Sequence, residues 1–288
     1  MAVKLQTIKD FRNFLIKELS SIYHERESSS IAEIVIADVF ELRSRSELMA
    51  IRNVNPDNDK IRKFMNYCNI LKTGKPVQYV LGETIFYGCR IKVSQGILIP
   101  RQETEELVDM IIKENNDFKG RILDIGTGSG CIAVALARNL PLSRVTGIDI
   151  SPAAVKAASE NASLNNVDSR FLTADILNPG FSELTRAGII VSNPPYVRES
   201  EKAAMHSNVL DFEPHEALFV PDEDPLLYYR AILEAANEIL ELPGRIYFEI
   251  NEALGKEMVS LLSSFDYTGV EIIKDLNGRD RIAKAKRQ

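Results

Sequence analysis

Arg121-Ile122-Leu123-Asp124-Ile125-Gly126-Thr127-Gly128-Ser129-Gly130, running on into Cys131-Ile132-Ala133-Val134-Ala135-Leu136-Ala137-Arg138, decides the fold. A short apolar run reads as a buried strand, a glycine-rich turn follows, and the turn opens a segment with apolar residues at helical spacing. Glycines there permit positive φ and let the backbone approach a ligand closely. A second apolar strand, Arg144-Val145-Thr146-Gly147-Ile148, ends in Asp149. An acid at the end of the second strand of such a βαβ unit can accept both hydroxyls of a nucleoside ribose. From Pro100 onwards, strand-like and helix-like segments alternate, which predicts an α/β domain with a mostly parallel sheet.

The glycine spacing narrows the ligand. A dinucleotide fingerprint wants G-x-G-x-x-G/A, which would put Gly or Ala at position 131. Cys131 stands there, and the third glycine comes one residue early, giving G-x-G-x-G. S-adenosylmethionine has no pyrophosphate to seat on the helix N-terminus, so the dinucleotide geometry is not needed for it.

A second stretch points the same way. Ala187-Gly188-Ile189-Ile190-Val191-Ser192 reads as a buried strand, and Asn193-Pro194-Pro195-Tyr196 follows it. Two consecutive prolines fix two φ angles, remove two backbone donors and stop the strand. An Asn amide and an aromatic ring are thereby presented on a stiff turn. The Asn oxygen and a neighbouring backbone carbonyl can each accept one N–H of a planar NH2 group, while the ring stacks on its plane. Pro-Pro also occurs in ordinary strand-ending loops; its company with the glycine loop and Asp149 favours a methyl-donor enzyme.

With these motifs go Pro76-Val77-Gln78-Tyr79-Val80-Leu81-Gly82 with Phe86, then Leu98-Ile99-Pro100-Arg101-Gln102-Glu103-Thr104-Glu105. Phe212-Glu213-Pro214-His215-Glu216-Ala217-Leu218 and Asp275-Leu276-Asn277-Gly278-Arg279-Asp280-Arg281 follow. In this order, from about Pro76 to Arg281, they resemble the peptide chain release factor N5-glutamine methyltransferase family. One stretch departs from the family pattern: Phe248-Glu249-Ile250-Asn251-Glu252-Ala253-Leu254 lacks its usual Gly and Gln. The resemblance implies a seven-stranded Rossmann-like class I S-adenosylmethionine-dependent methyltransferase domain, preceded by a small helical domain and a β-hairpin linker. It implies cofactor contacts at Thr104 (methionine carboxylate), Asp124 (ammonium), Gly126, Thr127, Gly128, Ser129, Gly130, Asp149 (ribose), Asp175 and Ile176 (adenine), and Asn193. Asn193, Pro194 and Tyr196 would be catalytic, and Asn193, Pro194, Pro195 and Tyr196 would hold the substrate glutamine. By the same resemblance that glutamine is the one in the Gly-Gly-Gln motif of class I release factors, whose methylation tunes translation termination. A ribosomal-protein glutamine methyltransferase stays open as an alternative, as does an N6-adenine nucleic-acid methyltransferase, whose target amino group is also planar and conjugated.

Three domains are expected: helical and substrate-docking over 1–75, a hairpin linker over 76–99, and the catalytic domain over 100–288. Leu5, Ile8, Phe11, Phe14, Leu15 and Leu19 recur at helical spacing. Ser28–Ser30 supply caps for a helix over 31–42, and Pro56-Asp57 opens another to about Leu71. Gln78–Val93 has strand-like composition.

An apolar content of 45% and mixed charge describe a globular protein. The N-terminus lacks the apolar core of a signal peptide, no run is long enough to span a bilayer, and a cytoplasmic location is expected. Cys68, Cys89 and Cys131 are too few and too scattered for a disulfide framework or a metal quartet. The net charge of −6 counts against a nucleic-acid grip, which draws on basic surface, so no direct DNA binding is expected. His24, His206 and His215 form no catalytic arrangement with Ser and Asp, and methyl transfer needs no metal. Glu103, Glu105 and Glu106 suit the first turn of a helix after Pro100.

Overall fold

The computed structural model describes residues 5–42, 47, 56–178 and 185–288; residues 1–4, part of the N-terminus on which the signal-peptide reading rests, lie outside them. Two compact units divide the chain: Met1–Gly82 with His206–Phe212, and Glu83–Met205 with Glu213–Gln288. Among the described residues no helix is long and apolar enough to cross a membrane.

The first unit is helical. α1 (Ile8–Leu19) starts at a reciprocal cap: the Asp10 amide donates to Thr7 Oγ1 at 3.1 Å, and the Thr7 amide donates to Asp10 Oδ2 at 2.8 Å. Its buried stripe, Ile8, Phe11, Leu15 and Leu19, faces α2 (Glu25–Val39) and α3 (Asn58–Leu71). Phe11 meets Phe40 and Phe64 edge-on, with ring centroids 5.1 and 4.8 Å apart; burying each such ring contributes about 1.5–3 kcal/mol. α3 is capped by Asp57, whose side chain accepts from the Lys60 amide at 2.8 Å.

Two local expectations change. α2 begins three residues before Ser28, at Glu25, with Glu25 and Glu27 in its first turn complementing the helix dipole. Ser28 and Ser30 are inside it, their hydroxyls donating to the carbonyls of Tyr23 and Arg26 rather than capping. Likewise Val77–Leu81 is a short helix, α4, and not strand. Pro76 precedes its first residue, and Gly82 ends it at φ 80°, where a side chain would be strained. The short helix Ser207–Phe212 clusters with this unit, and His206 stacks on Tyr23 with centroids 5.9 Å apart.

The second unit opens with a hairpin, β1 (Glu83–Phe86) and β2 (Cys89–Lys92), followed by α5 (Gln102–Glu114). Alternation then proceeds through β3 (Arg121–Ile125), α6 (Cys131–Asn139), β4 (Arg144–Asp149), α7 (Pro152–Leu164), β5 (Ser169–Thr173) and β6 (Ala187–Ser192). β7 (Val197–Arg198) pairs in parallel with β8 (Phe219–Val220), and α8 (Leu227–Ile239), β9 (Leu240–Glu249), α9 (Gly255–Ser264), β10 (Thr268–Lys274) and β11 (Asp280–Arg287) complete the chain. The main sheet has seven strands in the order β10-β11-β9-β6-β3-β4-β5, with β11 antiparallel to both neighbours and β9, β6, β3, β4 and β5 paired in parallel.

β6 is buried along its whole length, as a central parallel strand covered on both faces should be. Leu123, Ile125, Ile190, Ile246 and Phe248 point to the face covered by α8 and α9, where Tyr229, Ile232, Leu233, Met258 and Leu262 complete one core. By the period of two, Asp124 points to the opposite face. The ends of β3, β4, β5 and β6 are thus aligned at one edge of the sheet, and the next residue of each chain segment leaves at the same place.

Candidate active site

A cavity of about 560 Å³ lies at those strand ends, the position where open α/β sheets bind ligands. Gly126 and Gly128 reach it from β3, Asp149 and Ile150 from β4, Asp175 and Ile176 from beyond β5, and Asn193, Pro194 and Pro195 from β6; Ile97, Leu98, Pro214 and Ala217 close other sides.

The glycine loop has two jobs, separable by geometry. Gly126 and Gly128 hold φ at 71° and 55°, and a Cβ on either would meet nothing within 4 Å, so both turn bare backbone toward open space. Gly130 serves packing instead: a Cβ there would stand 2.7 Å from the Cβ of Ala158 on α7. Asn161, fully buried on the same helix, donates to the Ser129 carbonyl at 2.9 Å and the Lys92 carbonyl at 3.0 Å, and accepts from the Lys92 amide at 2.8 Å. One side chain thereby ties the glycine loop to the hairpin. Nothing in the local sequence marks it, because both partners are distant along the chain.

Asp149 accepts from the Gly128 amide at 2.8 Å through Oδ2 and from the Ser151 amide at 2.9 Å through Oδ1. Each carboxylate oxygen retains a lone pair for a ligand hydroxyl. Burial raises its pKa, and those two amides work against the rise. Asp175 accepts from the Leu177 amide and the Asn178 side chain. Asp124 is fully buried beneath the loop; Thr127 donates to its Oδ2 at 2.6 Å, while Oδ1 has no partner. Desolvation lifts its carboxyl to about 7, against the opposing hydrogen bond from Thr127.

Behind Asn193 lies a buried polar group that the sequence reading leaves without a role. Glu249, 1% exposed at the end of β9, accepts from Thr104 Oγ1 at 2.7 Å on Oε2 and from the Tyr196 hydroxyl at 2.9 Å on Oε1. Thr104 Oγ1 accepts in turn from Asn193 Nδ2 at 3.2 Å. Asn251 donates to the Tyr196 carbonyl at 3.1 Å and to Glu201 at 2.9 Å. The atypical stretch from Phe248 to Leu254 therefore holds both the side chain and the backbone of the Asn-Pro-Pro-Tyr turn. Burial raises the pKa of Glu249, opposed by the hydroxyls of Thr104 and Tyr196. The sequence signal was available: an acid immediately after an apolar strand, Ile246-Tyr247-Phe248, has to find donors.

Two further motifs meet at Glu213, which accepts from Arg101 at 2.6 Å and from the Ile99 amide at 3.2 Å. The Ile-Pro-Arg and Phe-Glu-Pro segments thus each supply one half of a partly buried ion pair beside the cavity wall. Of the sequence-derived candidates, Gly126, Gly128, Asp149, Asp175, Ile176, Asn193, Pro194 and Pro195 line the cavity directly. Thr104, Asp124, Thr127, Ser129, Gly130 and Tyr196 are placed around them, through the contacts given above. The histidines are elsewhere: His24 precedes α2, His206 stacks on Tyr23, and His215 packs edge-on against Phe219. Glu105 and Glu106 accept from the Tyr87 and Leu276 amides. No group of side chains among the described residues could hold a metal ion.

Residues 102–211 match the Methyltransferase small domain family. A release factor glutamine methyltransferase of Flavobacterium psychrophilum is 45% identical over 282 residues, covering 96% of this chain and 98% of that one. A protein of the same name from Bacteroides thetaiotaomicron is 42% identical over 274 residues, covering 95% and 98%. Among solved structures, a methyltransferase from Pyrococcus furiosus matches with a TM-score of 0.52 at 16% identity, over 80% of this chain and 98% of that one. The T. thermophilus 16S rRNA N2 G1207 methyltransferase, in complex with AdoMet and guanosine, matches at 0.53 and 17%, over 72% and 50%. These two likenesses concern the fold, and the expected seven-stranded class I methyltransferase architecture is met.

Proposed function

The chain belongs to the release factor glutamine methyltransferase family, and from that premise we propose that it methylates the side-chain amide nitrogen of the Gly-Gly-Gln glutamine in class I peptide chain release factors, with S-adenosylmethionine as donor. The observation that carries this reading is the orientation of Asn193. Its Nδ2 is committed to Thr104, which leaves Oδ1 as an acceptor at the edge of a cavity lined by bare glycine backbone.

The residues present suit that cofactor. Gly126 and Gly128 offer open space in front of their backbone, Asp149 keeps a lone pair on each oxygen for ribose hydroxyls, and Ile150 and Ile176 give apolar cover for an adenine ring beside Asp175. Asp124, with one unpartnered oxygen, supplies negative charge under the loop, which favours a ligand bearing an ammonium group. Thr127, Ser129 and Gly130 keep the loop in shape.

When bound, the cofactor supplies an electrophilic methyl group on a cationic sulfur. The rest falls to the chain's own residues. An amide nitrogen is a poor nucleophile because its lone pair is delocalised into the carbonyl. Asn193 Oδ1 and the Pro194 carbonyl each accept one N–H of the substrate amide, fixing its plane and turning the nitrogen toward the cavity. Tyr196 packs on that plane and Pro195 stiffens the turn. Positioning and exclusion of water then supply most of the rate enhancement; methylation leaves the nitrogen cationic and strongly acidic, so its proton departs after methyl transfer, as the product leaves the site, without a strong base. The helical unit takes the role of docking the protein substrate. A translation factor as substrate puts the reaction in the cytoplasm, and DNA is not a substrate in this reading.

The test is to offer donor labelled in its methyl group to purified release factor, ribosomal proteins and DNA in parallel. Label on the Gly-Gly-Gln glutamine is the expected result. Label confined to a ribosomal protein or to DNA overturns the reading.

A further inference from the structure

We propose that Glu249, acting through Thr104, sets which way the Asn193 amide faces, so that both are positioning residues for methyl transfer. The inference rests on the glutamine reading for its catalytic consequence, and on geometry alone for the orientation.

The argument concerns the direction of hydrogen bonds. The two carboxylate oxygens of Glu249 receive one hydroxyl each, from Thr104 at 2.7 Å and from Tyr196 at 2.9 Å. A hydroxyl has a single proton, so Thr104, having given its own to Glu249, can meet Asn193 only as an acceptor. The Asn193 group 3.2 Å away must therefore be the NH2. Its oxygen is then forced to the other side, where a substrate N–H needs an acceptor. Turned by half a rotation, the same amide would present its NH2 to the substrate's NH2, two donors facing each other. An acceptor-only carboxylate buried at 1% exposure gives the whole chain of contacts one polarity. The same carboxylate pins the Tyr196 ring through its hydroxyl, so both substrate-facing groups of the turn are referred to one fixed point. Neither Glu249 nor Thr104 lines the cavity, whereas Asn193 does, which marks both as acting through Asn193.

Thr104→Val keeps shape and removes the hydroxyl; Thr104→Ser keeps the hydroxyl. The first measurement is nitrogen-15 NMR of the Asn193 side-chain amide in the full chain without substrate, reading its shift and its exchange with water. The second is kcat on release factor together with cofactor Kd. Losing one preorganised bond to a transition state lowers kcat on the order of a hundred- to a thousandfold; losing the group that orients it is expected to lower kcat about ten- to a hundredfold. In Thr104→Val the Asn193 amide should exchange faster and kcat, measured at saturating donor, should fall by that factor. In Thr104→Ser both should stay near the parent values. Glu249→Gln, which can donate to Thr104 and reverse the chain, should behave like Thr104→Val while its thermal midpoint shows a folded protein. Equal losses in Val and Ser variants would mean packing and overturn the proposal, as would a Thr104→Val protein with parental kcat or unchanged amide exchange. If the parent enzyme fails to methylate release factor, the function reading falls instead, and the NMR comparison still decides the orientation.

Discussion

Asp124→Asn should make the protein more stable at alkaline pH while weakening its hold on the donor. The Asp124 carboxyl is fully buried, with one oxygen unpartnered, and desolvation raises it from 3.8 to about 7. For a group whose folded pKa is raised in this way, the folded state holds more protons than the unfolded one between about pH 4 and pH 7. Stability therefore falls as pH rises through that window and stays low above it. A rise of that size corresponds to on the order of 4 kcal/mol at pH 8. The amide removes the charge, but its NH2, placed where the bare oxygen now stands, has no acceptor either, which costs about 1–3 kcal/mol. The net gain at pH 8 is then about 1–3 kcal/mol. At roughly 2–4 °C per kcal/mol for a unit of this size, the thermal midpoint should rise by several degrees. At pH 4 the carboxyl is already protonated in the folded protein, so the charge term is gone and the unpaired NH2 should leave the variant about 1–3 kcal/mol less stable than the parent. Thermal unfolding of parent and variant at pH 4, 6 and 8 checks this, with calorimetric titration of the donor at pH 8, where affinity should drop. A stability difference independent of pH would refute the reasoning, because the buried charge would not be its source.

Asp149→Ala should weaken donor binding by about 1.5–3 kcal/mol, or roughly ten- to a hundredfold, as charge-assisted hydrogen bonds to ribose are lost; calorimetry showing parental affinity in a folded variant rejects the placement. Asn193→Ala should lower kcat about a hundred- to a thousandfold and leave donor affinity much less affected, whereas parental turnover would reduce Asn193-Pro194-Pro195-Tyr196 to a strand-ending turn. Asn193→Asp keeps an acceptor but adds charge near the cationic sulfur, so kcat should still fall even where donor affinity improves. Deleting residues 1–75 should raise KM for release factor, and donor affinity measured beside it reports whether the second unit remains intact; an unchanged KM removes the docking role.

The parts of the site legible in the sequence are those whose chemistry is local. A strand, a glycine turn and a helix start are neighbours in the chain, so Gly126 to Gly130 could be read directly, and Pro194-Pro195 announces its own stiffness. Asp149 follows from its place at a strand end. What stayed hidden depends on contacts between distant segments. Thr104 and Glu249 are 145 residues apart, and Asn161 meets Lys92 across 69; no periodicity connects such pairs. Glu213 and Arg101 were visible as motif residues, but their shared ion pair was not. The two misread elements, the start of α2 and the helix Val77–Leu81, turn on a few residues where propensity is weak. Ser28 is buried by the packing of α2, a tertiary effect that overrides its preference for a cap. The strand-like composition of Gln78–Leu81 yields to the Pro and Gly that bracket it.

Two buried acids, Asp124 and Glu249, and the half-buried Asp149 sit at or near the ends of β3, β9 and β4, and desolvation pushes the pKa of each upward. Their company is costly in the absence of a cation, since desolvation penalises each charge separately and Asp149 adds to the burden on Asp124. Hydrogen-bond donors offset part of that cost at Asp149 and Glu249, where both oxygens are occupied. They offset it least at Asp124, whose Oδ1 stays bare. The strain is thus concentrated at one carboxylate beneath the glycine loop, and a cationic ligand is what would relieve it. Glu249 differs in kind: its charge is spent on two hydroxyls that orient the substrate-facing turn. Electrostatics at these strand ends therefore separates into two tasks, attraction of a cation at β3 and β4 and alignment of an amide between β6 and β9. The Asn-Pro-Pro-Tyr turn stands where the two meet.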